Sequence, residues 1–303
     1  MELTLGPVLY EWSRDALFNF YREVSETSVD RVYLGEVLCS KKRALKPEDI
    51  PAIAEMLEKA GKKVVLSSLA VISNEDELEF TRRLLKLPYA VEANDMSVLN
   101  MADPKEREVF AGPHITTYNV PSIEFLQSTG IKRVTFPVEL SRDSIAYNIR
   151  NTGIEGEVFS HGRLPLAFSW RCYTARASGL TKSECRRNCK DEPDGILIKT
   201  MEGSPLFTLS GTSVLSADAY TLAGFVEDLR AIGVKGLRIS PQYNDTGKII
   251  GIFRKRLEGS LGADEAVAEL RLLSGGRLCN GWYAGAAGKD FFERVPEEAA
   301  GTN

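Results

Sequence analysis

The feature that most constrains the fold is a repeated alternation of short β-branched runs with amphipathic helical segments along the 303 residues. This alternation is typical of parallel strands joined by crossover helices. It predicts strands at Leu3–Val8, Arg31–Gly35, Lys63–Ser67, Tyr89–Ala93, His114–Tyr118, Arg133–Phe136, Glu157–Ser160 and Gly236–Ser240. It predicts helices near 13–27, 47–60, 76–87, 121–128, 142–151 and 217–232. The chain is therefore expected to be an α/β protein.

The number of predicted strands favours one architecture within that class. Eight strands with intervening helices predict a TIM-like (β/α) barrel, regular or distorted. An open doubly wound sheet is compatible with the same alternation. A single barrel-like domain is expected over 1–295, with 296–303 as a flexible tail. With 43% hydrophobic residues, a chain of this length can bury a core of that size.

The region 161–215 interrupts the alternation. It holds three of the five cysteines and two further runs that predict short strands, Ile196–Thr200 and Leu206–Leu209. Elaborations of this length on a regular scaffold usually carry function. We therefore expect a cysteine-bearing insertion on the barrel.

The cysteine spacing indicates a metal site. Three cysteines occur as Cys172-x12-Cys185-x3-Cys189, and Cys39 follows a predicted strand. A spacing of four would place the last two sulfurs on one face of a helix. Because loops after barrel strands converge at the carboxyl ends of those strands, Cys39 is expected to reach the same site. An odd number of cysteines makes a disulfide framework a poor explanation.

The cysteine spacing identifies candidate ligands but does not determine which metal centre they bind. Four thiolates suit a tetrahedral zinc ion or an iron-sulfur cluster, and redox-active thiols are a third alternative. Zinc sites usually use closely spaced pairs, of which there is one here, whereas a cluster accepts scattered ligands. Cations that would offset the negative charge of either centre are Arg171, Lys182, Arg186, Arg187 and Lys190. Cys279 is interpreted as a small buried residue.

Several segments resemble the collagenase-like peptidase U-32 family. Glu157-Val-Phe-Ser-His-Gly162 resembles its signature, and Tyr33-Leu-Gly-Glu36 followed by Cys39 fits its early strand and loop. Gly162-Arg-Leu-Pro-Leu-Ala167, Arg171-Cys-Tyr-Thr-Ala-Arg176 and the cysteine spacing resemble the UbiV branch of that family. The resemblance covers nearly the whole chain, and the cysteine spacing is its most specific part.

The resemblance implies a TIM-like barrel that holds a 4Fe-4S cluster on Cys39, Cys172, Cys185 and Cys189. It also implies a role in ubiquinone biosynthesis without dioxygen, as a heterodimer with a UbiU homologue that hydroxylates a quinone precursor. A lipid-binding accessory protein such as UbiT is a further implied partner.

Peptidase activity is not expected from this sequence. Arg163-Leu-Pro165 stands where the wider family has a cysteine, and the chain has only two histidines. Neither a zinc-protease His-Glu pair nor a Ser-His-Asp set is recognisable.

Glu157, His161 and Arg163 are weaker candidates for a catalytic role. Histidine has an ordinary pKa near neutrality, so His161 is a candidate acid-base group, although a structural role in a turn is favoured. Arg163, Arg171 and Arg176 are candidates for binding a carboxylate such as prephenate, which family members that hydroxylate RNA use as an oxygen donor. An ordinary surface role for these arginines is the alternative.

Two other functions remain open: an RNA-hydroxylating relative and a non-catalytic, metal-bearing scaffold subunit. The formal net charge of -4 and the pI near 5.5 argue against binding nucleic acid through phosphate neutralisation. The basic tripeptide Lys41-Lys-Arg43 is expected to form a solvated turn. No stretch approaches the roughly 20 apolar residues of a membrane span, and a cytoplasmic location is expected.

Overall fold

Strands and helices alternate along the computed structural model, which describes residues 1–41, 45–243 and 245–294. The strands are β1 (Glu2–Leu5), β2 (Arg31–Leu34), β3 (Lys63–Ser67), β4 (Ala90–Ala93), β5 (Val109–Ala111), β6 (Arg133–Thr135), β7 (Glu155–Gly162), β8 (Pro165–Phe168), β9 (Ile196–Lys199), β10 (Pro205–Ser210), β11 (Ser213–Ser216), β12 (Ala219–Thr221), β13 (Gly236–Ile239) and β14 (Leu278–Cys279). The predicted tail 296–303 and residues 42–43 of the basic tripeptide lie outside the described residues.

The helices surround these strands. They are α1 (Arg14–Ser25), α2 (Ile50–Lys59), α3 (Glu75–Leu85), α4 (Met96–Met101), α5 (Val120–Ser128), α6 (Arg142–Thr152), α7 (Tyr173–Ala177), α8 (Val226–Ala231), α9 (Thr246–Glu258) and α10 (Ala263–Leu273). Short 3-10 helices lie at Asn188–Asp191 and Ala223–Phe225. None of the helices within the described ranges is long and apolar enough to cross a bilayer.

Eight of the strands close into a parallel barrel. Each of β1 to β6 pairs in parallel with the next strand, β7 pairs with β13, and β13 pairs with β1. At the closing seam Gly162 has a φ of 109°, and a Cβ atom there would lie 2.7 Å from the backbone oxygen of Ser240. Glycine therefore permits the close approach. The prediction of a TIM-like barrel is confirmed, and the doubly wound alternative is wrong.

Side chains alternate along the barrel strands. Val32 and Leu34 of β2 belong to the large core between the strands and the helices, whereas Tyr33 belongs to a small inner cluster with Val65 and Phe110. This alternation follows from the pleat of a strand, which turns successive residues to opposite faces. The two faces differ in chemistry, because the inside of the barrel also holds charged residues.

Helix boundaries follow local capping signals. The side chains of Ser13, Asn74 and Ser141 accept hydrogen bonds from backbone N–H groups at the starts of α1, α3 and α6, over 3.1, 3.0 and 3.3 Å. Such residues satisfy N–H groups that have no partner within the helix. Most of the predicted helices therefore begin close to where the sequence indicates.

The predicted fifth strand is wrong. His114–Tyr118 forms a loop, and the fifth barrel strand is the shorter segment β5. Pro113 has no backbone N–H to donate, and the N–H of Ile115 closes a turn onto the carbonyl of Gly112 at 3.1 Å. The β-branched residues of this segment therefore follow the strand, at the carboxyl end of the barrel.

The predicted helix at 217–232 is also wrong. The segment forms β12, the 3-10 helix Ala223–Phe225 and then α8. The apolar spacing that suggested one long helix comes from Leu222, Phe225, Val226 and Leu229, which are all buried. A strand and two short helical turns bury these side chains as effectively as one helix would. In addition, α4, α7, α9 and α10 were not predicted from the sequence.

A second sheet forms between β7 and β12. It is antiparallel, has the order β8-β11-β10-β9, and spans residues 165–216, which we call the insertion. The strands predicted at Ile196–Thr200 and Leu206–Leu209 are confirmed as β9 and β10. The insertion leaves the barrel at the carboxyl end of β7, which is the end where TIM barrels carry their active sites.

Candidate functional site at the barrel mouth

The four predicted cysteine ligands lie in loops and helix ends at the carboxyl side of the barrel. Cys39 follows β2, and Cys172 caps α7, where its sulfur accepts the N–H of Ala175 at 3.4 Å. The sulfur of Cys185 accepts the N–H of Arg187 at 3.2 Å. Cys189 lies in the 3-10 helix. Cys185 and Cys189 do not share a helix, because Arg187 between them has a left-handed φ of 56°.

One hairpin turn connects the segments of Cys39 and Cys172. The hydroxyl of Thr212, in the turn between β10 and β11, donates to the carbonyl of Leu38 over 2.9 Å. The neighbouring carbonyl of Gly211 accepts the N–H of Tyr173 over 2.8 Å. Leu38 and Tyr173 each adjoin one of the two cysteines. The turn therefore holds residues 39 and 172 at the same place in the fold.

The remaining cysteine segments join the same group. The ammonium group of Lys41 donates to the carbonyl of Lys182 at 2.6 Å, which ties the Cys39 loop to the segment before Cys185. The side-chain amide of Asn188 donates to the hydroxyl of Ser178 at 3.0 Å, and α7 contacts the 3-10 helix that holds Cys189. All four cysteine segments thus contact one another through named bonds.

The four sulfur atoms differ in their exposure to solvent. None of the five cysteines forms a disulfide, and Cys172 is buried while Cys39, Cys185 and Cys189 are partly exposed. Among the residues that the structure describes, no three His, Cys, Asp or Glu side chains are arranged to hold a metal ion. A single zinc ion needs sulfurs within roughly 4 Å of each other, since Zn–S bonds are about 2.3 Å. An iron-sulfur cluster is larger and is bound by sulfurs that lie farther apart.

Cys279 lies apart from these segments. It belongs to β14, which pairs with β12, and its sulfur is 4.0 Å from the carbonyl oxygen of Asp218. Burial, with a smaller contribution from Asp218, raises the pKa of this thiol to about 12. The thiol is therefore protonated at neutral pH.

An arginine joins two carboxylates inside the barrel. The Nε and Nη2 atoms of Arg238 donate to Glu157 and Glu92, each over 2.6 Å, and the three side chains are at most 2% exposed. The guanidinium carbon also lies 4.0 Å from the centre of the Tyr33 ring. Burying charge in this way is tolerated only when each ion is paired and hydrogen-bonded.

The candidate Glu157 is part of this interior ion network. Its carboxylate also accepts the hydroxyls of Tyr33 at 2.8 Å and Thr4 at 3.0 Å. Burial alone would raise the pKa of Glu157, but the charges of Arg238 and Arg133 outweigh burial and lower the pKa below its ordinary value. Gly236 provides the space, because a Cβ atom there would lie 2.8 Å from Cγ of Glu157. Sequence reasoning identified Glu157 but missed Arg238 and Glu92.

A second charged cluster closes the opposite end of the barrel. Glu2 accepts hydrogen bonds from Arg31 at 3.2 Å and from Lys63 and Arg133, each at 2.6 Å. Burial would raise the pKa of Glu2, but the three cations together lower it to about 2. The carboxylate is therefore charged in the folded protein at any pH near neutrality.

Stability is expected to fall as the pH decreases from about 4.5 to about 2. The pKa of Glu2 is depressed on folding, so its contribution is complete above the unfolded value of 4.5 and is lost as the pH falls through the folded value. The loss from Glu2 is on the order of 2 kcal/mol. Urea unfolding at pH 4.5 and pH 3, for the wild type and for Glu2→Gln, measures this difference. Equal losses in both proteins would contradict the assignment.

The mouth of the barrel lies between the ion network and the insertion. A cavity of about 20 Å³ remains there, lined by Pro7, Glu92, His114, Phe159 and Arg238 among others. This volume holds roughly one water molecule. Burial, and to a smaller extent the charge of Arg238, lower the pKa of His114 to about 4, so the imidazole is neutral. The mouth is therefore closed, and His114 contributes no charge to it.

His161 does not face the mouth. Strict alternation along β7 would put it on the same side as Glu157 and Phe159, but the pairing of β7 with β13 shifts register between Arg238 and Ile239. The ring of His161 instead lies 6.0 Å from that of Phe253 on α9, outside the barrel. Burial lowers its pKa to about 3. This placement favours the structural interpretation of His161.

Arg163 binds backbone carbonyls at the base of the insertion. Its Nη1 atom donates to the carbonyls of Ser216, at 3.0 Å, and Ala217. Its Nε atom is buried and has no partner within the described residues. Arg163 therefore fixes the junction between the barrel and the insertion, and its Nε remains available as a donor.

The fold and the site together define a class of protein: a closed (β/α)8 barrel with a cysteine-bearing insertion after its seventh strand. The sequence profile of Peptidase family U32 matches residues 18–290. The chain belongs to this family. Family membership confirms the resemblance at that level and does not distinguish the UbiV branch.

One curated relative gives a functional comparison. The 23S rRNA 5-hydroxycytidine C2501 synthase of Escherichia coli (strain K12) is 27% identical to this chain over 181 residues. The matched segment is 56% of this chain and 27% of the synthase, so the chain spans about a quarter of the length of that relative.

The chain also matches solved structures with which it shares little sequence. N-acetylneuraminate lyase from Aliivibrio salmonicida has a TM-score of 0.48 and 10% identity, with 90% of this chain and 79% of the lyase covered. A DAHP synthase from Thermotoga maritima has a TM-score of 0.47 and 12% identity, with coverage of 89% and 70%.

Proposed function

We propose that this chain is the iron-sulfur subunit of a hydroxylase that works without dioxygen, with a 4Fe-4S cluster on Cys39, Cys172, Cys185 and Cys189. The observation that carries the proposal is the network of bonds that joins all four cysteine segments beside the barrel mouth. Segments far apart in the chain meet there, as ligands of one inorganic centre must. The all-cysteine set also suits iron-sulfur chemistry.

The surrounding residues support a negatively charged centre. When bound, a cluster supplies one-electron transfer or activation of an oxygen donor. Backbone N–H groups of Ala175 and Arg187 already donate to two of the sulfurs, a contact that stabilises thiolates and tunes clusters. Lys182 and Arg187 lie in the same segments, and ion pairs with Glu77 and Glu11 at 3.5 and 3.3 Å hold them in place and partly offset their charge.

The substrate that we propose is a ubiquinone precursor whose ring is hydroxylated by a heterodimer of this chain with a UbiU homologue. Prephenate is the proposed oxygen donor, UbiT the proposed lipid-binding accessory protein, and the cytoplasm the proposed location. Membership of the U32 family and the resemblance of the cysteine segments to the UbiV branch support this choice. The net charge of -4 favours it over a polyanionic substrate.

RNA hydroxylation is the second candidate, because the curated relative is named as an rRNA 5-hydroxycytidine synthase. A deletion strain grown without oxygen separates the two functions. We expect loss of ubiquinone with unchanged 5-hydroxycytidine in rRNA. Loss of the modified nucleoside with normal ubiquinone would instead indicate that the substrate is RNA.

The same strain tests whether the cysteines are needed. A Cys172→Ala copy of the gene is expected to leave ubiquinone at the deletion level, and a Cys279→Ala copy to restore it. If Cys172→Ala restored ubiquinone fully, the chain would be a scaffold whose metal centre is dispensable.

A further inference from the structure

We propose that the barrel mouth is a binding pocket for an uncharged aromatic molecule, in which Arg238 donates a hydrogen bond to a carbonyl or hydroxyl oxygen and β8 forms a movable roof. The inference rests on the proposed function in treating the barrel mouth as the substrate site. It adds the polarity of the ligand, the residue that anchors it and the element that must move.

The anchor follows from the hydrogen bonds of Arg238. Its Nε and Nη2 atoms are occupied by Glu157 and Glu92, whereas Nη1 has no acceptor in the part of the chain that the structure describes. The side chain lines the cavity and is 1% exposed. A guanidinium N–H that has no acceptor in the protein can donate to an oxygen atom that enters the cavity. An oxygen atom in the cavity, from water or from a ligand, would satisfy it.

The charges around the mouth select a neutral oxygen. Arg238 faces two carboxylates, and Glu92 itself lines the cavity. Arg133 lies 3.6 Å from Glu157 but is bound to Glu2 at 2.6 Å. His114 adds no charge at neutral pH. Because the charge of Arg238 is already offset by its carboxylate partners and Glu92 lines the cavity, an anionic ligand would be repelled in a site with little water, whereas a carbonyl or hydroxyl would not.

The walls suit a flat ring. Pro7, Val37, Phe159 and Pro165 surround the polar end of the cavity with apolar surface. From the insertion, the ring of Phe168 packs edge-on against that of His114, with the centroids 4.8 Å apart. Pockets of this kind combine apolar walls with a few polar groups that orient the ligand.

The roof must move before a ring can bind, because the closed cavity holds only about one water molecule. Within the insertion sheet β8 is an edge strand that pairs with β11 alone, and their register shifts between Val214 and Leu215. Leu166, Ala167 and Phe168 are exposed. A short edge strand with an irregular register and few buried side chains is weakly held.

Benzamide and benzoate test the proposal, because they have the same shape and differ in charge. Calorimetric titration of the full-length, anaerobically purified protein is expected to detect benzamide binding and at least about tenfold weaker benzoate binding. Phe168→Ala removes the roof contact and is expected to accelerate benzamide association. Tyr147→Ala, an exposed aromatic residue on α6, is the matched control and is expected to behave as the wild type.

Two outcomes would contradict the proposed pocket. If benzoate binds as tightly as benzamide, the pocket does not select an uncharged ligand. If benzamide binds to neither the wild type nor Phe168→Ala, the barrel mouth is not a binding pocket for such a ligand. The result is separable from the proposed function, since binding requires no catalysis. If the protein binds benzamide but contains no iron, the pocket is supported and the cluster is not. If it contains a cluster but does not bind benzamide, the cluster is supported and the pocket is not.

Discussion

Replacing Arg238 by methionine is expected to destabilise the protein by about 3–5 kcal/mol, or to prevent folding altogether. The substitution keeps the length and apolar body of the side chain but leaves Glu92 and Glu157 buried at 1% and 0% exposure without their common cation. Carboxylates in such a position must either remain charged without a partner or take up protons, and both are unfavourable. Denaturant unfolding monitored by circular dichroism measures the change.

Two further variants identify the cause of that loss. Arg82→Met removes an arginine whose ion pair with Glu75 lies on the surface, and its stability is expected to match the wild type. Adding Glu92→Gln and Glu157→Gln to Arg238→Met removes the unpaired charges and is expected to recover part of the lost stability. An Arg238→Met protein as stable as the wild type would show that the network does not hold the barrel together.

Replacing any one of the four proposed ligands by serine is expected to remove most of the iron from the protein. Cys39→Ser, Cys172→Ser, Cys185→Ser and Cys189→Ser each take away one of four thiolates, and a serine hydroxyl is a much poorer ligand for iron. Iron and acid-labile sulfide should fall from about four of each per chain to a small fraction of that.

Cys279→Ser is the control for this series. Its thiol is buried and protonated and lies outside the cysteine segments, so its iron content is expected to equal that of the wild type. Circular dichroism of every variant distinguishes loss of the cluster from loss of the fold. If Cys279→Ser lost iron while Cys39→Ser kept it, the ligand assignment would be wrong.

The barrel was predictable because most of its strands are buried on both faces and carry continuous runs of β-branched residues. The exceptions have local causes. The fifth strand is only three residues long, and a better β-forming segment follows it after Pro113. The apolar spacing at 217–232 satisfied a helical pattern although a strand and two turns bury the same residues.

The candidate site was predictable only in part. The cysteine spacing marks the insertion, but spacing could not reveal the left-handed backbone at Arg187 that separates Cys185 from Cys189. The partners of Arg238 lie 81 and 146 residues away in the chain, so no local pattern indicates their contact. The face of β7 that His161 occupies could not be predicted for a similar reason, because a register shift between two distant strands decides it.

The central claim is that the fold gathers four distant cysteines around one iron-sulfur cluster. Anaerobic purification followed by iron, zinc and sulfide analysis, with a visible absorption spectrum, tests it most directly. We expect a brown protein with about four iron and four sulfide per chain, whose visible absorption decreases on reduction. A colourless protein that contains one zinc ion per chain and no sulfide would contradict it.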